Sequence, residues 1–298
     1  MTDAVVPVEE DAGLLRVGLA STAAGFWLIS NAPVIVASSD VHGLVMAFWR
    51  SWIGCAVLTV VLLVQGKFSV PAIRSTAPAG LCFGTSIGLF FWASQITSIA
   101  NASLITILQP IPLAVAAYFV FSERLHTTDL IFGLFAITGA AVIVLAGDSG
   151  GTGDLGGDLL AFVSILIGAG YFVFAKRSLV SVGVVPFMVG MFAWAGLAVT
   201  PLVLISGEQI IARNGSDWVK VLAVALLPGL GHVLLNYAHG KAPLNLMGVL
   251  QLLIPVNATL MAFWFLDQSV AALQVIGMAV VIAALAIHAL TRSRAQPA

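Results

Sequence analysis

Charged side chains are scarce in this 298-residue sequence: Lys, Arg, Asp and Glu together make up 8%, against 60% hydrophobic residues. A soluble domain carries roughly 25% charged residues, so a water-facing surface cannot be built from this chain. Cysteine is almost missing. Cys55 and Cys82 both fall in apolar runs, where they resemble small apolar side chains, and neither a disulfide nor a metal site is expected. The HExxH pattern, a Cys/His metal-ligand spacing and paired aspartates within an apolar run are all missing, so these sequence grounds for an enzyme are lacking. No cofactor is expected. A formal net charge of −1 gives no basis for a nucleic-acid partner. The opening MTDAVVPVEEDAG is acidic, whereas a secretory signal begins with basic residues, so the first apolar run is expected to be retained.

What fills the chain instead is long apolar sequence, with a mean hydropathy of +1.08. Runs long enough for a bilayer, about 20 residues at 1.5 Å rise, recur ten times: 14–36, 44–65, 77–98, 101–122, 128–147, 157–176, 183–206, 219–239, 243–266 and 269–291. Strands of a membrane barrel would alternate apolar and polar residues over roughly ten positions, which these runs do not do. The expected fold is an all-α integral membrane protein of ten transmembrane helices. With the N-terminus inside, nine basic residues (Arg16, Lys67, Arg74, Arg124, Lys176, Arg177, Lys241, Arg292 and Arg294) face the cytoplasm and two (Arg213 and Lys220) face out. This is a strong positive-inside bias.

Sliding the sequence on itself by 144 residues aligns Trp27 with Tyr171, Asn101 with Asn245, Glu123 with Asp267 and Gly133 with Gly277. These matches imply one five-helix unit used twice, 14–147 and 158–291, flanked by an acidic tail 1–13 and a basic tail 292–298. An odd number of helices sends the second copy into the membrane from the opposite side, so the repeat is inverted about a central cavity. That construction is typical of secondary transporters, whose solute site lies at the repeat interface. The Gly-rich stretch from Gly147 to Asp158, which includes the linker 148–157, contains GGTGDLGGD, which resembles one calcium-binding nonapeptide, but a lone copy cannot stack and is expected to be a flexible external loop. Asp158 is expected to cap the sixth helix.

No Asp or Glu lies well inside a predicted span, so carboxylate-based proton coupling is not expected and transport should be facilitative or weakly proton-coupled. In the eighth span, His232, Asn236 and His239 fall at i, i+4 and i+7 and form one polar stripe. As a zinc pair, the two histidines lack an assignable third ligand. Shifted back by 144, the stripe lands on Gly88, Trp92 and Gln95; Trp27 and Asn31 mark the first span, and Ser164, Gly168 and Tyr171 the sixth. Polar groups avoid lipid, so these faces should point inward, either packing helices together or lining a cavity. The candidate cavity set is Trp27, Asn31, Trp92, Gln95, Asn101, Thr106, Gln109, Tyr171, His232, Asn236, His239, Gln251 and Asn257. Aromatic rings beside a few amides suit a small amphipathic solute. Arg50, about two turns into the second span, is expected to be a structural anchor in preference to a ligand of a solute carboxylate. Pro33, Pro110, Pro112 and Pro255 interrupt their spans and are expected to act as hinges. Nothing in the sequence calls for more than a monomer in the bilayer.

Two segments, QPIPLAVAAYFVFSERL and LIPVNATLMAFWFLDQS, share a proline-containing span that ends in an acidic residue. With GFWLISNAPVIV followed by MAFWR, and a short hairpin between the third and fourth spans of each half, they resemble the drug/metabolite transporter superfamily in its EamA group. The resemblance runs from about Gly13 to His288. It is most like the YddG-type exporters of aromatic and other neutral amino acids. This implies a ten-helix basket around a hydrophobic cavity and efflux across a bacterial inner membrane, both termini being cytoplasmic. The runner-up is another exported amphiphile, such as a purine or a cationic drug; a membrane scaffold or lipid-processing enzyme is the distant alternative.

Overall fold

The computed structural model of the chain describes residues 8–66, 68–97, 105–122, 127–145, 154–266 and 270–295. Asn101, Glu123, Asp267 and residues 148–153 of the linker lie outside the described residues. The described residues form α-helices and connections, with no strand among them. In chain order the helices are α1 Val8–Ile29, α2 Asn31–Ala37, α3 Gly43–Val64, α4 Val70–Ser75, α5 Ala77–Ile96, α6 Pro110–Phe121, α7 Thr127–Leu145, α8 Leu155–Ser178, α9 Val184–Ser206, α10 Gly215–Ala238, α11 Leu244–Leu250, α12 Leu253–Leu266 and α13 Ala272–Ala295.

Among the described residues, six segments are long and apolar enough to cross a membrane: Gly13–Val36, Gly43–Val64, Ala77–Ile96, Leu155–Ser178, Val184–Ser206 and Gly215–Ala238. Shorter apolar helices at Ile105–Phe121, Leu130–Val142, Leu246–Met261 and Ala272–Ile287 occupy the remaining predicted runs. The chain is a multi-pass membrane protein. Helix ends follow local chemistry. The side chain of Asn214 accepts from the Asp217 backbone N–H at 2.8 Å and starts α10, and Gly207, at a φ of +71°, stops α9. The cap of α8 is Asp154, not Asp158: its carboxylate accepts from Gly157 N at 3.0 Å because the helix begins at Leu155. Asp158, one turn in, accepts instead from the Thr97 hydroxyl at 2.5 Å.

Three of the predicted spans are interrupted where proline stands. α1 gives way to α2 at Ser30, three residues before Pro33. Between 105 and 121 the helix loosens into a turn at Leu108–Gln109, and between 244 and 266 it does so at Gln251–Leu252. The physics of the last two is the same. Pro110 and Pro112 supply no N–H to the carbonyls of Thr106 and Leu108, and Pro255 supplies none to that of Gln251. Those carbonyls are taken by tighter i to i−3 bonds: Gln109 N to Thr106 O at 3.1 Å, Ile111 N to Leu108 O at 3.0 Å, and Ile254 N to Gln251 O at 2.9 Å. The interruptions are therefore satisfied internally, as an apolar surrounding demands.

The main packing is between the halves. α5 lies on α8, α1 on α10, α3 on α9, α6 on α11 and α7 on α13. Small residues permit the closest of these approaches. A Cβ on Gly25 would stand 2.8 Å from the Gly231 carbonyl oxygen, and one on Gly231 would stand 2.7 Å from that of Gly25, so α1 and α10 cross backbone to backbone. Buried apolar side chains collect in clusters around Phe83, Phe172 and Phe192, around Leu44, Phe91 and Val199, and around Ala136, Leu252 and Val281.

Candidate functional site

Five helices bring polar groups together near the middle of the molecule. Arg50 of α3 is 1% exposed, and its Nη2 lies 3.1 Å from Nδ1 of His232 on α10. The guanidinium carbon sits 5.3 Å from the centre of the Phe83 ring and 5.9 Å from that of Phe91, both on α5. One turn along α10, Asn236 accepts at Oδ1 from the Tyr171 hydroxyl of α8 at 3.1 Å. Its Nδ2 donates to the His232 carbonyl at 2.8 Å and points at the Met188 sulfur of α9 at 3.1 Å. The rings of Phe83 and His232 meet edge to face at 4.8 Å, and those of Phe83 and Tyr171 lie 5.1 Å apart. The i, i+4 stripe of α10 thus faces inward, as its spacing predicts for His232 and Asn236, and the partner of the stripe is Tyr171.

A second polar group joins the two interrupted helices. Gln251 Nε2 donates to Gln109 Oε1 at 2.5 Å, with both residues buried. A Cβ on Gly168 would stand 3.1 Å from Gln109 Nε2 and 3.0 Å from Ser86 Oγ, and Ser86 itself donates to the Ser164 carbonyl at 2.8 Å. Gly168 and Ser86 lie one turn along α8 and α5 from Tyr171 and Phe83. The glutamine pair is therefore a turn away from the arginine cluster, and the small Gly168 makes room for it. Thr106 lies one turn before Gln109 and is half-buried.

A third group is formed at the interruption of the first span. Asn257 Nδ2 donates to the Trp27 carbonyl at 2.9 Å and contacts Ser30 Oγ at 2.5 Å. Ser30 Oγ and Asn31 Nδ2 donate to the same Trp27 carbonyl, at 2.7 and 3.0 Å. Carbonyls loosened at the break are thus held by side chains, one of them from α12.

The other candidates stand apart. Gln95 does not face the centre: its Oε1 accepts from Gly43 N at 2.6 Å and its Nε2 donates to Val41 O at 3.1 Å, tying α5 to the start of α3. Trp92 packs near His42, with ring centres 6.3 Å apart, and Trp27 is 39% exposed. His239 is 2% exposed beside Phe172 at 5.7 Å, and neither ring nitrogen has a hydrogen-bond partner. Among the described residues, the remaining orphaned buried side-chain atoms are Arg50 Nε, Gln251 Oε1 and Asn257 Oδ1. All belong to the groups just described.

Sequence reasoning left Arg50 outside the candidate set, although an arginine in the middle of an apolar run was a signal for it. Phe83, Phe91 and Met188 gave none, since an apolar residue in an apolar helix is indistinguishable from its neighbours. An apolar groove of about 620 Å³ between the 105–121 helix and α8, lined by Leu108, Ile111, Phe119, Phe162, Leu166 and Phe174, opens beside the glutamine turn. Its lining carries no polar side chain and offers shape without chemistry. Among the described residues, no group of three His, Cys, Asp or Glu side chains is placed to hold a metal.

A membrane bundle whose buried polar groups sit where two interrupted helices meet has the make-up of a solute carrier. The EamA-like transporter family matches residues 12–145 and again residues 155–290, so the chain belongs to that family of membrane transporters of small molecules, with two repeats covering its length. A solved structure described only as "Crystal structure of protein" shares the fold at a TM-score of 0.75 and 23% sequence identity, over 95% of this chain and 98% of the other. No curated protein matches.

Proposed function

We propose that the chain is an alternating-access transporter of small amphipathic solutes, with aromatic and other neutral amino acids as its substrate class and export across a bacterial inner membrane as its direction. The reading takes ten crossings in two inverted repeats, 14–147 and 158–291, joined by the linker 148–157, with both termini in the cytoplasm. The observation that carries it is the junction of the two interrupted helices at Gln109 and Gln251, one turn from a buried centre of rings and amides. Bending at paired breaks opens such a centre to one side or the other.

The packing supports the repeat. Number the apolar helices one to ten and add five to each, wrapping past ten. The pair three–six (α5 on α8) then becomes eight–one (α10 on α1), while two–seven, four–nine and five–ten return to themselves. A two-fold axis produces that pattern. Arg50 at the centre disfavours cationic drugs, whose charge it repels, and favours solutes with a negative end. Phe83, Tyr171 and Phe172 suit an apolar side chain.

Purified protein in proteoliposomes is expected to exchange labelled phenylalanine, methionine or threonine saturably, with little change in initial rate when a proton gradient is imposed. Exchange of adenine without any amino acid would move the substrate to the runner-up class, and exchange of neither would refute the reading.

A further inference from the structure

A charge buried in a medium of low dielectric is unfavourable unless a counter-charge and hydrogen bonds meet it. Among the described residues Arg50 makes no ion pair, and its hydrogen bonds are met only in part. It heads the fully buried side chains by size, and the ion pair among the described residues, His42 with Glu208, does not involve it. Its Nε has no hydrogen-bond partner. On the same edge of the guanidinium, Nη2 faces His232 Nδ1 at 3.1 Å, but that nitrogen also stands 2.8 Å from the Pro228 carbonyl oxygen.

One imidazole nitrogen carries either a proton or a lone pair. If His232 donates from Nδ1 to Pro228, it gives Arg50 nothing. If it accepts from Arg50, it turns a lone pair on a carbonyl. A protonated ring would set two cations side by side. The Nε/Nη2 edge is thus a two-donor fork with one donor orphaned and the other contested, and such a fork matches a carboxylate bidentately. Phe83 and Phe91 flank the guanidinium, and the oxygens of Asn236 and Tyr171 lie just beyond His232.

We propose that the Nε/Nη2 edge of Arg50 anchors the carboxylate of the transported solute. His232 then donates from Nδ1 to Pro228, while Phe83, Phe91 and Tyr171 contact the apolar part. The proposal rests on the transport reading above and narrows its substrate from an amphiphile to a carboxylate. The cluster is closed in this structure, with Phe91, Met188 and Phe192 fully buried around it, so the fork is reached when the halves part at the Gln109 and Gln251 turns.

The test uses four probes that share one phenyl group, competing for counterflow in proteoliposomes of the full chain: phenylalanine, phenylalaninamide, phenethylamine and 3-phenylpropionate. The wild type is expected to bind phenylalanine at least about 30-fold more tightly than phenylalaninamide, because a fork without its carboxylate is left unpaired. Arg50→Gln is expected to abolish that preference, and Arg50→Lys, which keeps the charge without the fork, to retain a reduced one. Equal competition by phenylalanine and its amide in the wild type overturns the proposal and leaves amino-acid transport standing. Competition by 3-phenylpropionate but not by phenylalanine removes the amino-acid reading and supports the carboxylate anchor. If neither carboxylate competes, the proposal falls. If both Arg50 variants fail to fold, the four-probe comparison in the wild type still decides.

Discussion

Replacing Gln109 and Gln251 by leucine, singly and together, measures the junction on which the transport reading turns. The bond between them is short, 2.5 Å, and the two residues are 9% and 6% exposed. Polar contacts between helices in membrane proteins contribute about 0.6 kcal/mol on average and up to about 1.7 kcal/mol. With both amides withdrawn from water, this one belongs in the upper half of that range. Each single variant leaves the partner amide buried and unmet, at a cost of about 1–3 kcal/mol. The double variant removes both polar groups and leaves two apolar side chains in contact, so it should be more stable than the sum of the singles predicts. The expected coupling is about 1–1.7 kcal/mol, or about 5- to 16-fold in an equilibrium constant. Denaturant titration of the four proteins in mixed micelles, followed by the fluorescence of the seven tryptophans, reads this directly. Additivity within about 0.3 kcal/mol would show that the two breaks are not bonded to each other, and the proposed hinge pair would lose its physical basis.

Two other substitutions probe what holds the halves in place. Gly231→Val drives side-chain atoms into the Gly25 carbonyl, which a Cβ alone would already approach to 2.7 Å. It should cost about 3 kcal/mol or more and reduce the yield of monodisperse protein on size exclusion. Gly229→Ala, two residues away with nothing within 4 Å of its added Cβ, should be neutral or slightly stabilising; equal behaviour of the pair would disprove the backbone crossing. Asn257→Leu removes the donor that bridges α12 to the Trp27 carbonyl and Ser30. A loss of about 1–2 kcal/mol is expected, and an unchanged unfolding midpoint would mean that Ser30 and Asn31 satisfy the break alone.

Much of the fold is legible along the chain because hydropathy is a local sum. A stretch such as 184–206 cannot be placed in water whatever its neighbours do, and α3, α5, α8, α9 and α10 begin and end within about four residues of the predicted runs. Proline is local too: Pro110, Pro112 and Pro255 deny an N–H to a carbonyl four residues back wherever the helix sits, and the turns at 108–109 and 251–252 follow. The stripe of His232 and Asn236 is read from spacing alone, since any α-helix sets i and i+4 on one face.

Contact between elements is another matter. Lipid is as apolar as a protein core, so the sequence carries no hydrophobic signal for which side of α5 meets α8 and which meets lipid. Packing alone made Phe83 a neighbour of Arg50 and His232, and it turned Gln95 toward Val41 and Gly43. By itself the sequence determined that this chain lives in a membrane, where its helices lie and where they break. Only the tertiary structure decided that the two breaks meet through Gln109 and Gln251, and that Arg50 lies buried among rings with its Nε unpaired. Both depend on residues distant in sequence, Gln109 with Gln251 and Arg50 with Phe83, Phe91 and His232, whose approach is set by close small-residue crossings such as that of Gly25 and Gly231.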